Sequence, residues 1–156
     1  MRVGVGLLVL AAVACTPPPR PPTPVAEATP GGRWLVGVFE GTLPCADCEG
    51  VRTRLTLWAS GPHDFTDARY ALAETYLGTR EARRFRSEGT WTLLRGDADD
   101  PDATVYQLDP EKGDDARSFY VVDERHLEQL DRTLHRTRAA TPPVLERVEL
   151  ELPAAD

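Results

Sequence analysis

Arg69-Tyr70-Ala71-Leu72-Ala73-Glu74-Thr75-Tyr76 places Tyr70, Leu72 and Tyr76 at alternate positions. These three side chains share one face of an extended chain, because successive side chains of a β-strand point to opposite sides. The dominant period from Arg33 onward is two, which is typical of strands with one buried face. The segment therefore predicts a half-buried β-strand.

Seven further segments show β-like composition or alternation, and turn clusters rich in Gly, Pro and Asp separate many of them. They are residues 34–39, 53–58, 89–93, 104–108, 118–122, 126–130 and 144–149. Short strands at near-regular spacing predict an all-β fold, in which an antiparallel sheet closes into a barrel and loses its exposed edges. The predicted interior residues are Leu55, Leu57, Tyr70, Leu72, Trp91 and Leu93.

Two arginine-rich segments lie among the predicted strands. Residues 82–87 are predicted to be a hairpin connection, and residues 132–138 form a second basic run. Each run is interpreted either as a solvated face of an acidic protein or as a contact with acidic lipid headgroups.

The first 14 residues have the pattern of a bacterial export signal. Arg2 supplies a positive charge before an apolar segment of the expected length. The signal ends in Ala-Val-Ala before Cys15, which predicts that lipoprotein processing acylates this cysteine. The alternative is ordinary secretion, with cleavage after Ala14.

A proline-rich tether is predicted to follow the signal. Residues 15–32 hold seven of the 14 prolines, which exclude helix and central strand. Such a segment extends by about 3 Å per residue and would hold a domain away from a membrane surface. Residues 33–156 are predicted to form one barrel domain, expected to be monomeric.

The composition excludes several functional classes. The 156 residues include 18 Lys and Arg against 25 Asp and Glu, and the net charge of −7 would be repelled by nucleic-acid phosphates. Three cysteines and three histidines are too few for a zinc-finger framework. The sequence has neither a nucleophile elbow nor a phosphate-binding glycine loop, so it is not predicted to be an enzyme.

The most informative motif is a pair of cysteines between the first two predicted strands. Cys45 and Cys48 stand three residues apart in Leu43-Pro44-Cys45-Ala46-Asp47-Cys48-Glu49-Gly50-Val51. Three interpretations remain open: a small disulfide in an oxidising compartment, a soft-metal site, or a pair that exchanges disulfides. Asp47 disfavours reactive thiolates, because a neighbouring negative charge raises thiol pKa values.

A metal bound by this pair is expected to be copper(I), which prefers thiolate and thioether ligands. The only methionine is Met1, within the predicted signal, so two thiolates would hold the ion nearly linearly. A nitrogen from His63, His126 or His135 could join them, although each is expected to be a surface histidine.

The cysteine motif and several later segments together resemble the N-terminal domain of the NlpE family of envelope lipoproteins. The resemblance lies in Leu43–Val51, Tyr70, Leu72, Glu74–Gly78, Gly89–Trp91 and Leu127–Asp131. It implies a lipocalin-like β-barrel on an outer-membrane lipid anchor, facing the periplasm or exposed on the cell surface. It also implies roles in copper tolerance and in sensing envelope or surface-contact stress, with a sensor kinase as partner.

Two departures from the family qualify this resemblance. The better-known family member has a second domain with its own cysteine pair, for which this sequence has no cysteine after Cys48. The family's Asp-Gly turn is replaced after Asp131 by Arg132-Thr133-Leu134-His135, so a different turn is expected.

Two functions from different classes follow. The first is a lipid-anchored sensing module for copper or envelope stress. The second is a lipocalin-like carrier of a small apolar ligand or a lipoprotein, with the cysteine pair as a structural disulfide. In the second case Tyr70, Tyr76 and Trp91 could line the ligand. A thiol oxidoreductase is a more distant third.

Overall fold

The computed structural model describes residues 32–79 and 83–149, which form a closed, wholly antiparallel barrel in sequential strand order. The strands are β1 (Trp34–Leu43), β2 (Gly50–Ala59), β3 (Arg69–Leu77), β4 (Arg84–Arg95), β5 (Thr104–Leu108), β6 (Arg117–Val121), β7 (His126–Gln129) and β8 (Val144–Arg147). One short 3₁₀ helix, Pro110–Asp115, joins β5 to β6. The predicted all-β barrel is confirmed. Within the described residues, no helix is long and apolar enough to span a bilayer.

The two ends of the barrel differ in what they present. Because neighbouring strands run in opposite directions, the connections after β1, β3, β5 and β7 lie at one end. We call it the cysteine end, since the loop between β1 and β2 holds Cys45 and Cys48. At the other end, which we call the terminal end, β1 begins and β8 finishes.

The barrel interior is packed with large apolar side chains. The most deeply buried of them are Phe39, Leu55, Leu57, Val105, Leu108, Phe119, Leu127 and Leu145, each at most 2% exposed. Leu55, Leu57, Tyr70, Leu72 and Trp91 belong to the main core cluster, as predicted from their alternation.

The prediction that Leu93 lies in the interior is wrong, since this residue is 41% exposed. The reason is the stagger of β4 between its neighbours. β4 pairs with β3 over Arg84–Thr90 and with β5 over Trp91–Arg95. Leu93 therefore lies beyond the start of β3, on a strand segment with a single paired neighbour.

The same stagger corrects the prediction for residues 82–87, of which residue 82 lies outside the described residues. Arg84 and the residues after it belong to β4 rather than to a connection. Their side chains are exposed as far as Glu88, because only β3 pairs with this half of the strand. Alternation alone does not reveal how far one strand extends past the next.

Residues 131–138, which we call the strap, reach the loop between β4 and β5. Leu134 O accepts a hydrogen bond from the Ala98 N–H over 3.0 Å. Arg136 Nε lies 2.9 Å from the buried Asp97 Oδ2, and the Arg136 guanidinium lies 3.7 Å above the Tyr120 ring. Burial opposes ionisation of Asp97, but the bonds from Arg136 and the backbone outweigh it and lower its pKa.

The turn after Asp131 is stabilised by the aspartate itself. Its Oδ1 accepts hydrogen bonds from the Thr133 and His135 N–H groups, at 2.8 and 2.9 Å. Leu134 has a positive φ of 63°, at a place where a glycine would be easier to accommodate. As expected, the turn differs from an Asp-Gly turn, and the carboxylate of Asp131 stabilises it.

Replacing Arg136 by alanine is expected to lower the free energy of unfolding by about 1–2 kcal/mol. The variant loses both the charge-assisted bond to Asp97 and the contact over Tyr120. Urea unfolding of the purified protein measures this loss. Arg138→Ala is the matched control, because Arg138 is exposed and makes no ion pair with another described residue. Equal losses in the two variants would contradict a specific role for Arg136.

Candidate functional site at the cysteine end

Cys45 and Cys48 form a disulfide in the loop between β1 and β2, with their Cα atoms 5.4 Å apart. Both residues are partly buried, while Ala46 and Asp47 between them are exposed. Cys48 Sγ lies 3.3 Å from the Gly50 carbonyl oxygen. The pair is therefore held close to the start of β2 but remains accessible from solvent.

Gly50 allows the chain to turn from the cysteine loop into β2. Its φ is 147°, a conformation that L side chains rarely adopt. A Cβ here would also lie 2.6 Å from Thr42 Cγ2, closer than side-chain carbons approach. The glycine two residues after Cys48 is thus required by backbone conformation and by packing against β1.

The cysteine loop is also attached to β3. The Glu49 N–H donates to the Leu77 carbonyl over 3.1 Å. Gly78, directly after β3, has a φ of 71°, and a Cβ on it would lie 2.3 Å from Glu49 Cγ. The absence of a side chain at Gly78 therefore makes room for Glu49 beside the disulfide.

Replacing Gly78 by alanine is expected to cost about 1–2 kcal/mol of folding free energy, from left-handed backbone strain and the clash with Glu49. Chemical denaturation measures the loss. The Glu49→Ala change in the Gly78→Ala background should recover the part due to the clash, leaving backbone strain alone. Strictly additive losses in this double-mutant cycle would show that the two side chains do not interact.

The three histidines do not join the cysteines in a metal cluster. No group of three or more His, Cys, Asp or Glu residues able to hold a metal occurs in residues 32–79 and 83–149. His126 Nδ1 lies 2.8 Å from Asp123 Oδ1 at the terminal end. His135 Nδ1 lies 2.9 Å from Thr133 Oγ1 in the strap, and His63 follows β2. A metal at the cysteine end would thus depend on the reduced pair, as two thiolates suited to low-coordinate copper(I).

The three aromatic residues predicted as ligand-lining have separate surroundings. The Tyr70 hydroxyl donates to Asp109 Oδ2 over 2.7 Å, and Trp91 Nε1 donates to the Trp58 carbonyl over 2.8 Å. Tyr76 is partly exposed near the cysteine end, with its ring 5.4 Å from that of Phe85. A ligand-lining role for the three stays a prediction.

The terminal end of the barrel has a cleft of about 490 Å³ beside Phe39 and Tyr106. Arg147 covers part of this opening, with its guanidinium 4.9 Å from the Phe39 ring centre. Its side chain donates to the carbonyl oxygens of Val36 and Glu124, at 2.9 and 2.7 Å. Arg147 therefore places a positive charge at this opening of the barrel.

Sequence reasoning missed a buried carboxylate next to Tyr70. Asp109 is 7% exposed, and besides the Tyr70 hydroxyl its Oδ2 accepts a bond from Lys112 Nζ. Burial opposes ionisation of Asp109, but the bonds from Lys112 and Tyr70 outweigh it and lower the pKa. Gly89 faces this carboxylate, and a Cβ there would lie 2.0 Å from Asp109 Oδ1. Two features of the sequence could have indicated this carboxylate: Lys112, the single lysine, and Gly89, a glycine within a predicted strand.

These features define a class: small closed antiparallel barrels with a cysteine pair in the first hairpin. Residues 39–139 match the model of the NlpE N-terminal domain, and the chain belongs to that family. It is 34% identical over 116 residues to lipoprotein NlpE of Escherichia coli strain K12, covering 74% of this chain and 42% of that protein.

A solved structure was also matched, the crystal structure of the Cpx pathway activator NlpE from Escherichia coli. The identity is 30% and the TM-score 0.46, over 77% of this chain and 51% of that one. The chain therefore spans about half or less of the relatives it matches.

Proposed function

We propose that the chain is a lipid-anchored envelope protein of the NlpE type, which senses envelope stress and contributes to copper tolerance. The observation that supports this most is the family membership of residues 39–139, which include the cysteine loop. The Escherichia coli relatives are named a lipoprotein and a Cpx pathway activator. The proposal transfers these properties to this chain and assigns it no enzymatic activity.

In this proposal Cys15 is the site of acylation, and the outer membrane is where the protein is anchored. The Ala-Val-Ala sequence before Cys15 lies outside the described residues, so the support comes from the sequence motif. Mass spectrometry of the mature protein should find acyl chains on Cys15, and the protein should fractionate with outer membranes. A mature protein without added acyl mass would refute the anchor.

The partner in this proposal is a sensor kinase of the envelope-stress type. Overproduction of the chain should activate a reporter of that kinase's pathway, and deletion of the kinase gene should abolish the response. The Cys15→Ser variant separates anchoring from signalling, because it removes only the acylation site. An unchanged reporter on overproduction of the wild-type chain would exclude the signalling role.

Copper binding in this proposal uses Cys45 and Cys48 in their reduced form. The two residues are close enough to form a disulfide, so their thiolates can also approach one ion. Oxidation removes both thiolates, and protonation competes with the metal, so binding should require reductant and weaken as pH falls.

The test is a titration of the reduced protein with copper(I) against a competing chelator. The Cys45→Ser/Cys48→Ser variant should lose binding, while the wild-type protein should lose it on oxidation. Equal affinities of the variant and the reduced wild type would remove the pair from any copper role. The disulfide would then remain a short structural link, with a small effect on stability.

A further inference from the structure

One half of β4 has an open edge. Residues 84–88 pair with β3 on one side, whereas pairing with β5 on the other side begins only at Trp91. All five side chains of this segment are exposed. The barrel thus has about five residues of edge strand, or about 17 Å, beside which no described strand lies.

The backbone groups along this edge can be assigned from the alternation of antiparallel pairing. The Tyr76 N–H donates to the Arg83 carbonyl, so odd-numbered residues of this segment pair with β3. The Asp109 N–H donates to the Thr90 carbonyl, so even-numbered residues point the other way. The N–H and C=O groups of Arg84, Arg86 and Glu88 therefore point to the open edge. They make no backbone hydrogen bond to another described residue.

Four arginines flank this edge on the outer side of the sheet, and we call them the arginine face. The pairing register places Arg52, Thr75 and Arg84 in one row and Arg54, Ala73 and Arg86 in the next. The β3 residues between these arginines, Thr75 and Ala73, have small uncharged side chains. Arg54 pairs with Glu40, while no ion pair joins Arg52, Arg84 or Arg86 to another described residue.

The opposite side of the same segment faces the barrel interior, where Glu74 lies opposite Phe85 and forms an ion pair with Arg117. Phe85 is 52% exposed there, beside Tyr76, and Ser87 is the next residue on that side. A strand laid along this edge would meet Arg84, Arg86 and Glu88 on the outer face, and Phe85 and Ser87 on the inner face. Acidic residues alternating with apolar residues would complement both faces.

We propose that the open edge of β4 binds an extended segment of a partner protein by β-strand addition, and that this segment alternates acidic and apolar residues. Main-chain bonds to Arg84, Arg86 and Glu88 would supply affinity, and the arginine face would select acidic side chains. The chain as a whole has a net charge of −7, which disfavours acidic partners, so a basic face beside unpaired backbone directs them to this one edge. The proposal does not depend on the lipid anchor or on copper.

The test uses the full chain as a Cys15→Ser variant, to keep it free of acyl chains, and a labelled eight-residue peptide of alternating Glu and Val. Fluorescence anisotropy should show saturable binding that weakens as salt increases. In amide hydrogen exchange, the N–H groups of Arg84, Arg86 and Glu88 should gain protection on binding. Those of Phe85 and Ser87 should change little, since they already pair with β3.

Two controls separate backbone pairing from charge alone. A peptide of the same sequence, N-methylated at alternate residues so that it cannot pair, should bind at least tenfold more weakly. The Arg84→Glu/Arg86→Glu variant should also lose at least tenfold, whereas Arg132→Glu/Arg138→Glu should change affinity less than threefold. Both variants alter exposed side chains, and circular dichroism verifies their folding.

Three results would overturn the proposal. One is equal binding of the N-methylated peptide, which would indicate electrostatic contact only. Another is unchanged exchange at the three even-numbered amides when peptide is bound. The third is protection of these amides by vesicles containing anionic lipid but not by the peptide, which would assign the arginine face to a membrane surface.

Discussion

Phe119→Ala is expected to lower the free energy of unfolding by about 3–5 kcal/mol. Phe119 is 0% exposed in the middle of β6, among the core side chains of the barrel. Removing its ring eliminates the burial energy of an aromatic side chain and leaves a cavity that a closed barrel can fill only partly. Equilibrium unfolding in urea, monitored by tryptophan fluorescence, measures the loss.

The matched control is the same substitution at Phe85. This ring is 52% exposed and packs mainly against Tyr76, so its loss should cost no more than about 1–1.5 kcal/mol. The difference between the two variants isolates burial, since the chemical change is identical. A Phe119→Ala protein as stable as Phe85→Ala would contradict the described core.

Asp109→Ala is expected to cost about 3 kcal/mol, because it leaves the Tyr70 hydroxyl without its acceptor and removes an aspartate that tolerates a positive φ of 49°. Thermal or urea unfolding measures the loss. Asp109→Asn keeps the shape and the conformational tolerance but removes the charge, so it should cost less. Tyr70→Phe removes the hydroxyl, so the Asp109→Ala change should cost less folding free energy in that background. A double-mutant cycle quantifies the difference.

The same carboxylate should contribute to acid sensitivity. Since the pKa of Asp109 is lower in the folded protein than its ordinary value of 3.8, its ionised form stabilises the fold above about pH 4. This contribution is lost as pH falls through the lowered pKa, because the unfolded chain takes up the proton first. The Asp109→Asn protein should therefore lose less stability than wild type between pH 6 and pH 3. If the stability of the two proteins falls equally with pH, the acid sensitivity comes from other aspartates.

The strands could be predicted from sequence because alternation is a local property. The alternating positions of Tyr70 and Leu72 predict that both side chains are buried, because one face of each strand here lies against the core. Leu93 could not be predicted in the same way, although it alternates correctly with Trp91. Its exposure depends on where β3 begins relative to β4, which is a pairing register between distant segments.

In the candidate site, too, some features could be predicted from the sequence and others could not. The position of Cys45 and Cys48 between two strands follows from local pattern, and the close approach of Glu49 to Gly78 does not. The Asp109–Tyr70 bond joins residues 39 positions apart, so no single segment signals it. Long-range contacts depend on the stagger between strands, and local sequence patterns do not predict that stagger.

The antiparallel order has a consequence for orientation. β1 begins at the terminal end, and the cysteine loop follows its tenth residue at the other end. Ten residues of tilted strand separate the two ends by about 25 Å. Whatever tethers the chain on the N-terminal side of β1 is therefore attached at the terminal end, and the disulfide faces away from it. In a protein held at a surface through that tether, the cysteine loop lies at the end of the barrel farther from the attachment point, where soluble reductants, metal ions and proteins can reach it.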